Sequence, residues 1–316
     1  MTTSTTAPRN RLVHSRSAHM RAIQISQKTA FAYCEGRNVD PFIYSQIMAK
    51  AHPNGAAFCA LYHAEEIRGT GGKESLIRLF KHFRAKKILS RSFKGKQFCC
   101  VFFFDKDVDD LSRKCLKSKH ALYTQQYDLE GHLYREGDLR HAAAVSINSS
   151  QSKIPEVYDD ASLWAEKKAR HWRAWITLCL YSATFGVDCG CSYGRPSAIN
   201  PGLLGPTDSH AFATFKTLLM VKSAITAPEF EMRLRKLENL IRKLEAKNML
   251  GTVFKGKWLE AIIAAELQAQ YAGQPVNLKE LGPRVTSALM SRADFSSPWG
   301  KKIVKELRDI VSLCLG

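Results

Sequence analysis

Along residues 25 to about 150, short apolar runs alternate with stretches whose apolar positions recur at helical spacing. That alternation predicts an α/β sheet with crossover helices. "TAFAYCEG" predicts a first strand, and "DPFIYSQIMAKAH" a helix after it, with Asp40 as N-cap and Pro41 at the first helical position. "CALYHAE" predicts a second strand, "GGKESLIRLFKHFRAKK" a second helix and "FCCVFFF" a third strand. That third run is apolar on both faces, so it belongs inside the sheet with layers above and below. "HALYTQQYDLEGHLY" predicts a short strand turning into another helix.

From about Ser162 the pattern stays helical. "ASLWAEKKARHWRAWITLCLYSATF" predicts one long helix, and the Gly/Pro/Asn-rich "CGCSYGRPSAINPGLLGPTDSHA" after it a surface loop or a hinge. In "APEFEMRLRKLENLIRKLEAKNML", Phe230, Leu234, Leu237, Ile241 and Leu244 alternate spacings of four and three, a heptad-like stripe. Two heptads favour a helix paired within the chain over a coiled coil with a partner. The chain thus divides into a flexible basic lead-in (1–24), an α/β domain (25–155) and a mainly helical domain (156–316).

Charge changes the picture more than composition does. The 316 residues are 45% hydrophobic and 24% charged, ordinary for a globular protein. Yet 47 Lys+Arg against 29 Asp+Glu leaves +18, a balance that attracts nucleic acid or an anionic membrane surface. The first twenty residues lack the apolar core of a secretory signal, and the longest uncharged apolar stretch, Ala174 to Val187, is too short to span a bilayer. A soluble, cytoplasmic protein without a membrane partner is expected. Nine cysteines include no C-x2-C pair, which argues against a zinc ribbon and for thiols used as small core residues.

The cations are clustered. Arg78, Lys81, Arg84, Lys86, Lys87, Arg91, Lys94 and Lys96 follow one another without an intervening acid, and Arg113, Lys114, Lys117 and Lys119 form a second group. Such one-sided runs suit phosphate backbones, with Lys81, Arg84, Lys86, Lys87, Arg91, Lys94, Arg113 and Lys114 as the candidate nucleic-acid contacts. Trp164, Trp172 and Trp175, interleaved with Lys167, Lys168, Arg170 and Arg173, could stack on unpaired bases, although their helical spacing favours the core.

The candidate chemistry sits at strand ends. In an open α/β sheet, ligands gather outside the carboxyl ends of the strands. Glu35 follows the first strand, and Asp105 and Asp107 follow the third in "FFFDKDVDD". Asp-x-Asp leaving a strand directs two side chains one way, a means of offering oxygens to a hard cation such as Mg²⁺. In "GTGGKESL", Lys73 is followed by Glu74, which departs from the Walker A pattern. A Gly-Gly-Lys at a helix start still suits a single phosphate, so Lys73 is the candidate for holding a scissile phosphate.

"YCEGRNVD", "FFFDKDVDD" and "YDLEGHL" resemble the three acidic motifs of TOPRIM nucleases, in particular the OLD-like proteins encoded beside ABC-type ATPases in phage-defence operons, including the PARIS-type effector. The resemblance covers Phe31 to Leu133 and extends to "VFKGKWLEAII" in the helical half. It implies a TOPRIM-like Rossmannoid parallel sheet with a helical C-terminal half. It also implies Glu35 as general acid/base, Asp105 and Asp107 as metal ligands, and Glu130 completing a Mg²⁺ or Mn²⁺ shell with Asp40. Two positions depart from the family. Asp40 lies five residues after Glu35 where four is usual, and Gly131 stands where asparagine is usual. The implied function is an endonuclease acting on RNA, with tRNA favoured, held inactive by an ABC-type ATPase and homodimeric when active. The stripe from Phe230 to Leu244 and the loop from Gly190 to Asp208 are then the surfaces for partner docking and self-association. A DNA-nicking TOPRIM nuclease and a non-catalytic TOPRIM-fold binding subunit are the alternatives.

Overall fold

Every residue from Phe98 to Phe104 is buried, as a strand covered on both faces must be. The computed structural model describes residues 15–52, 54–68, 71–111, 114–190, 193–194, 196–200 and 202–315. It divides into two units. One comprises Met1–Phe104, Lys117–Leu122 and Pro298–Gly316, and the other Asp105–Leu116 and Tyr123–Ser297.

The first unit opens with α1 (Arg16–Ile25), β1 (Ala30–Cys34), α2 (Val39–Ala51), β2 (Cys59–His63), α3 (Ala64–Arg68), α4 (Lys73–Ala85), β3 (Ser90–Phe93) and β4 (Lys96–Phe104), and the short β5 (Ala121–Tyr123) also pairs with β4. The strand order is β2-β1-β4-β3. β1 is parallel to both its neighbours, with Tyr33 opposite Tyr62 on one side and Phe102 on the other. This is the α/β core with crossover helices that the alternating pattern predicts, with the parallel, Rossmann-like pairing that the resemblance implies. β3 adds an exposed antiparallel edge that the pattern did not predict. Its hairpin turns on Lys94 and Gly95, whose φ values of 50° and 79° suit a two-residue turn matched to strand twist.

Side chains alternate across the sheet, so each face has its own cover. Tyr33 and Phe102 stack at 4.7 Å and meet Phe80 and Phe83 of α4. On the opposite face Phe103 stacks on Tyr44 of α2 at 4.1 Å. Residues 16–24, assigned from sequence to a flexible lead-in, lie in α1. Ser15 caps the helix by accepting the Ala18 N–H, and His19 and Ile23 are buried. The rest of that lead-in lies outside the described residues.

The second unit is helical, with α5 (Leu129–Glu136), α6 (Leu139–Ser146), α7 (Ala161–His171), α8 (Arg173–Phe185), α9 (Ser209–Lys222), α10 (Ala227–Ala246), α11 (Gly256–Gln270) and α12 (Leu281–Ser291). The single helix predicted around Trp172 is two, because Trp172 leaves helical geometry at φ −92° and ψ 7°. Trp164, Trp172 and Trp175 are all buried, which places them in the core rather than on a base-stacking surface. Phe230, Leu234, Leu237 and Ile241 are buried too, and α10 packs on α8 with Phe230 4.8 Å from Tyr181. The heptad-like stripe is therefore an internal helix contact. This corrects its reading as a docking surface, since its apolar side chains are already spent on α8.

The chain then returns to the first unit. α13 (Pro298–Leu315) packs on β4 and α2, so the sheet's cover includes a helix assigned from sequence to the C-terminal domain. Among the described residues the cysteines are free thiols, and no helix is long and apolar enough to cross a membrane.

Candidate acidic site and basic face

The chain leaves β1 at Glu35, which is half-buried, and then turns through Gly36. The Gly36 N–H donates to Asp40 Oδ2 at 2.7 Å, and a Cβ on Gly36 would stand 2.9 Å from all three carboxyl atoms of Asp40. A side chain at position 36 would have to push the Asp40 carboxylate aside. Asp40 is not the predicted N-cap. α2 begins one residue earlier, at Val39, after Asn38, and the 7% exposed Asp40 serves the Glu35–Gly36 turn instead. Lys73 is the first residue of α4, half-buried, behind Gly72 at φ 80°, a conformation that favours glycine. It stands at a helix start, where backbone N–H groups favour anions.

The chain leaves β4 at Asp105. Its Oδ1 accepts the Leu129 N–H at 3.2 Å, which ties the first acid after β4 to the first residue of α5. The Asp-x-Asp does not continue the strand. Lys106 donates its N–H to Thr124 Oγ1 at 2.9 Å, and Asp107 turns to φ 49° while donating to the Tyr127 carbonyl at 2.7 Å. Strand alternation therefore does not aim Asp105 and Asp107 together. Aspartate is one of the few side chains that tolerate this left-handed region.

Glu130 lies in the first turn of α5 and is 5% exposed. Its Oε1 is 3.6 Å from Lys257 Nζ, a half-exposed cation contributed by α11. Beside it Asp128, 2% exposed, accepts hydrogen bonds from Gly131 N at 2.9 Å and from Gly256 N at 2.9 and 3.1 Å. Burial pushes the Asp128 carboxyl above the usual carboxylate range, opposed by those N–H donors and by Lys257 and Lys255. His132, also buried, accepts the N–H groups of Gln125 and Gln126 at Nε2, so its proton is on Nδ1, donated to Glu136 at 2.8 Å. Burial holds that imidazole below its ordinary pKa, in its neutral form.

Glu35, Asp40 and Lys73 belong to the first unit, and Asp105, Asp107 and Glu130 to the second. Within the units, the fold links Glu35 to Asp40 through Gly36, and Asp105 to the helix bearing Glu130 through Leu129. Among the described residues no three His, Cys, Asp or Glu side chains stand close enough to hold a metal ion. The donor chemistry nevertheless fits a hard cation, because every candidate ligand, Asp105, Asp107, Glu130 and Asp40, is a carboxylate. Asp128, His132, Gly256 and Lys257 were not singled out from sequence. Their signal lay in the two quoted stretches "YDLEGHL", which contains Asp128 and His132, and "VFKGKWLEAII", which contains Gly256 and Lys257.

The basic candidates of the first unit are all at the surface. Lys81 and Arg84 lie on the exposed side of α4, Lys86 and Lys87 follow it, Arg91 lies on the edge strand β3 and Lys94 at its hairpin. Leu76, Leu79, Phe80 and Phe83 fill the other side of α4, which forces the cations outward. Lys96 is held differently, its ammonium bonded to the Ser26 carbonyl. In the second unit Lys114 is exposed, and Arg113 lies outside the described residues. Compared with known families and characterised proteins, the sequence matches no family model and none of those proteins.

Proposed function

We propose that the chain is a Mg²⁺- or Mn²⁺-dependent endonuclease of the TOPRIM type, acting on RNA, with tRNA the favoured substrate. In its host it is the effector of an anti-phage system, restrained by an ABC-type ATPase until infection and homodimeric when active. The observation that carries this reading is that β1 and β4, paired in parallel with Tyr33 opposite Phe102, both run directly into acids, Glu35 and Asp105. Carboxyl ends of adjacent parallel strands are where such sheets bind their ligands. Bound there, the ion would supply a Lewis acid to the phosphodiester oxygens. Asp105, Asp107 and Glu130 would hold it, with Asp40 supporting the Glu35 turn. Glu35 would take the proton of the attacking water, and Lys73 would hold the scissile phosphate at the start of α4. The exposed cations from Lys81 to Lys94 would bind the substrate backbone without reading its sequence.

The test is cleavage of labelled tRNA, single-stranded RNA and supercoiled plasmid by purified protein with Mn²⁺, with EDTA, and with Glu35→Gln. Cleavage of RNA lost in EDTA and in the variant is expected. Cleavage that persists in excess EDTA refutes the metal reading, and plasmid nicking without RNA cleavage replaces RNA with DNA. The exposed basic face also supports a second reading, a non-catalytic nucleic-acid-binding subunit. Binding of all three substrates without cleavage of any would establish it.

A further inference from the structure

Asp128 is a buried acid that the proposed chemistry leaves without a role. It caps α5, of which it is the N-cap residue, through the Gly131 N–H at 2.9 Å. The same carboxylate takes the first N–H of α11, from Gly256, at 2.9 and 3.1 Å. One buried side chain thus satisfies the start of two helices that are far apart in sequence.

The glycines show how closely those starts approach. A Cβ on Gly256 would stand 2.0 Å from the Gly131 nitrogen and 2.3 Å from Asp128 Oδ1, so no other residue fits without separating the helices. A Cβ on Gly131 would already press on Gln126 at 3.0 Å. The approach sets what lies beside it. Lys257, next after Gly256, reaches Glu130, and Leu129, next after Asp128, donates to Asp105.

We propose that Asp128 is a positioning residue of the acidic site, clasping the first turns of α5 and α11 so that Glu130 and the Leu129 amide are held in place for metal binding. This rests on the metal-dependent reading above, but the clasp itself can be measured without metal. The helical half then does more than dock a partner, since α11 supplies one jaw of the clasp.

The experiment compares wild type with Asp128→Asn, which keeps an acceptor oxygen, and Asp128→Ala, which keeps none. Mn²⁺ affinity is read by the loss of free-ion EPR signal, and amide hydrogen exchange follows Gly131 and Gly256 without metal. Asp128→Ala is expected to lose protection at both amides and to weaken Mn²⁺ binding by about 10- to 100-fold, the range for groups that orient metal ligands. Asp128→Asn should restore affinity to within about threefold of wild type, since the orienting bonds rather than the charge matter. An Asn variant as weak as the Ala variant would overturn the proposal by making Asp128 a ligand itself. Unchanged Mn²⁺ affinity in Asp128→Ala would overturn it outright. A wild type that binds no Mn²⁺ while its two amides still depend on Asp128 would sink the metal reading, and the positioning role with it, leaving a purely architectural clasp. Should Asp128→Ala fail to fold, Asp128→Ser, with a shorter acceptor, takes its place with the same outcomes.

Discussion

Gly256→Ala should be among the most damaging single-methyl additions to this protein. The new Cβ would fall 2.0 Å from the Gly131 nitrogen, in backbone rather than in the end of a flexible side chain. The starts of α5 and α11 must therefore part by about 1 Å, a shift that a packed interior resists at a cost of about 1–3 kcal/mol. Parting them also takes the Gly256 N–H from Asp128, and a buried acceptor left short of partners costs about 1–3 kcal/mol more. The sum, about 2–6 kcal/mol, is a large share of the stability of an ordinary domain. Urea unfolding followed by tryptophan fluorescence is a suitable assay, because Trp258 is buried two residues along the same helix. Gly205→Ala is the control, since its Cβ would meet no atom within 4 Å, and it should change stability by less than about 0.5 kcal/mol. If the two variants unfold at the same urea concentration, the close approach of α5 and α11 has been misjudged.

Three further outcomes are expected. Leu237→Glu should unfold the helical unit, because a buried unpaired charge costs several kcal/mol, whereas Met232→Glu on the exposed side of α10 should leave the circular dichroism melt nearly unchanged; equal melts would return the stripe to the surface. Replacing Lys86 and Lys87 with alanine should weaken RNA binding and reduce the slope of log affinity against log salt by about 0.7 for each phosphate left without its lysine, so an unaltered slope would remove these residues from the interface. Hydrogen bonding from the Cys99 thiol, with help from Ser90 and Lys119, lowers the Cys314 pKa, while the same bond and burial raise that of Cys99. The Cys314 thiolate therefore forms at lower pH than that of a free thiol. Iodoacetamide labelling read by peptide mass should modify it ahead of Cys99 at neutral pH, with the reverse order refuting the arrangement.

What could be read from the sequence depended on how local the cause was. β4 announced itself because seven consecutive buried positions are apolar on both faces, a property of the strand alone. Glu35 and Asp105 were equally legible, since each needs only the end of an apolar run to be noticed. Asp107 was noticed for a wrong reason. Its direction was inferred from strand alternation, whereas its backbone is held at φ 49° by the Tyr127 carbonyl. Asp40 passed for an N-cap because its neighbour is proline, but its partner is the Gly36 N–H. The edge strand β3 is too polar to show alternation, and the break at Trp172 interrupts no apolar period. Asp128 was illegible for another reason. Its significance is set by Gly256, a residue that becomes its neighbour only after the helical half has folded.

The position of α13 has a consequence for the making of the protein. The face of β4 that carries Cys99 and Phe103 is complete only when α2 and α13 have both arrived, and α13 is encoded almost two hundred residues downstream of that strand. At about 5–20 residues per second, a ribosome reaches it on the order of ten to forty seconds after the strand has emerged. Throughout that interval the nascent sheet has one apolar side only partly covered. The half of the molecule that carries Glu35 and Lys73 therefore cannot reach its finished form beside the ribosome's own RNA until translation of the helical half is over.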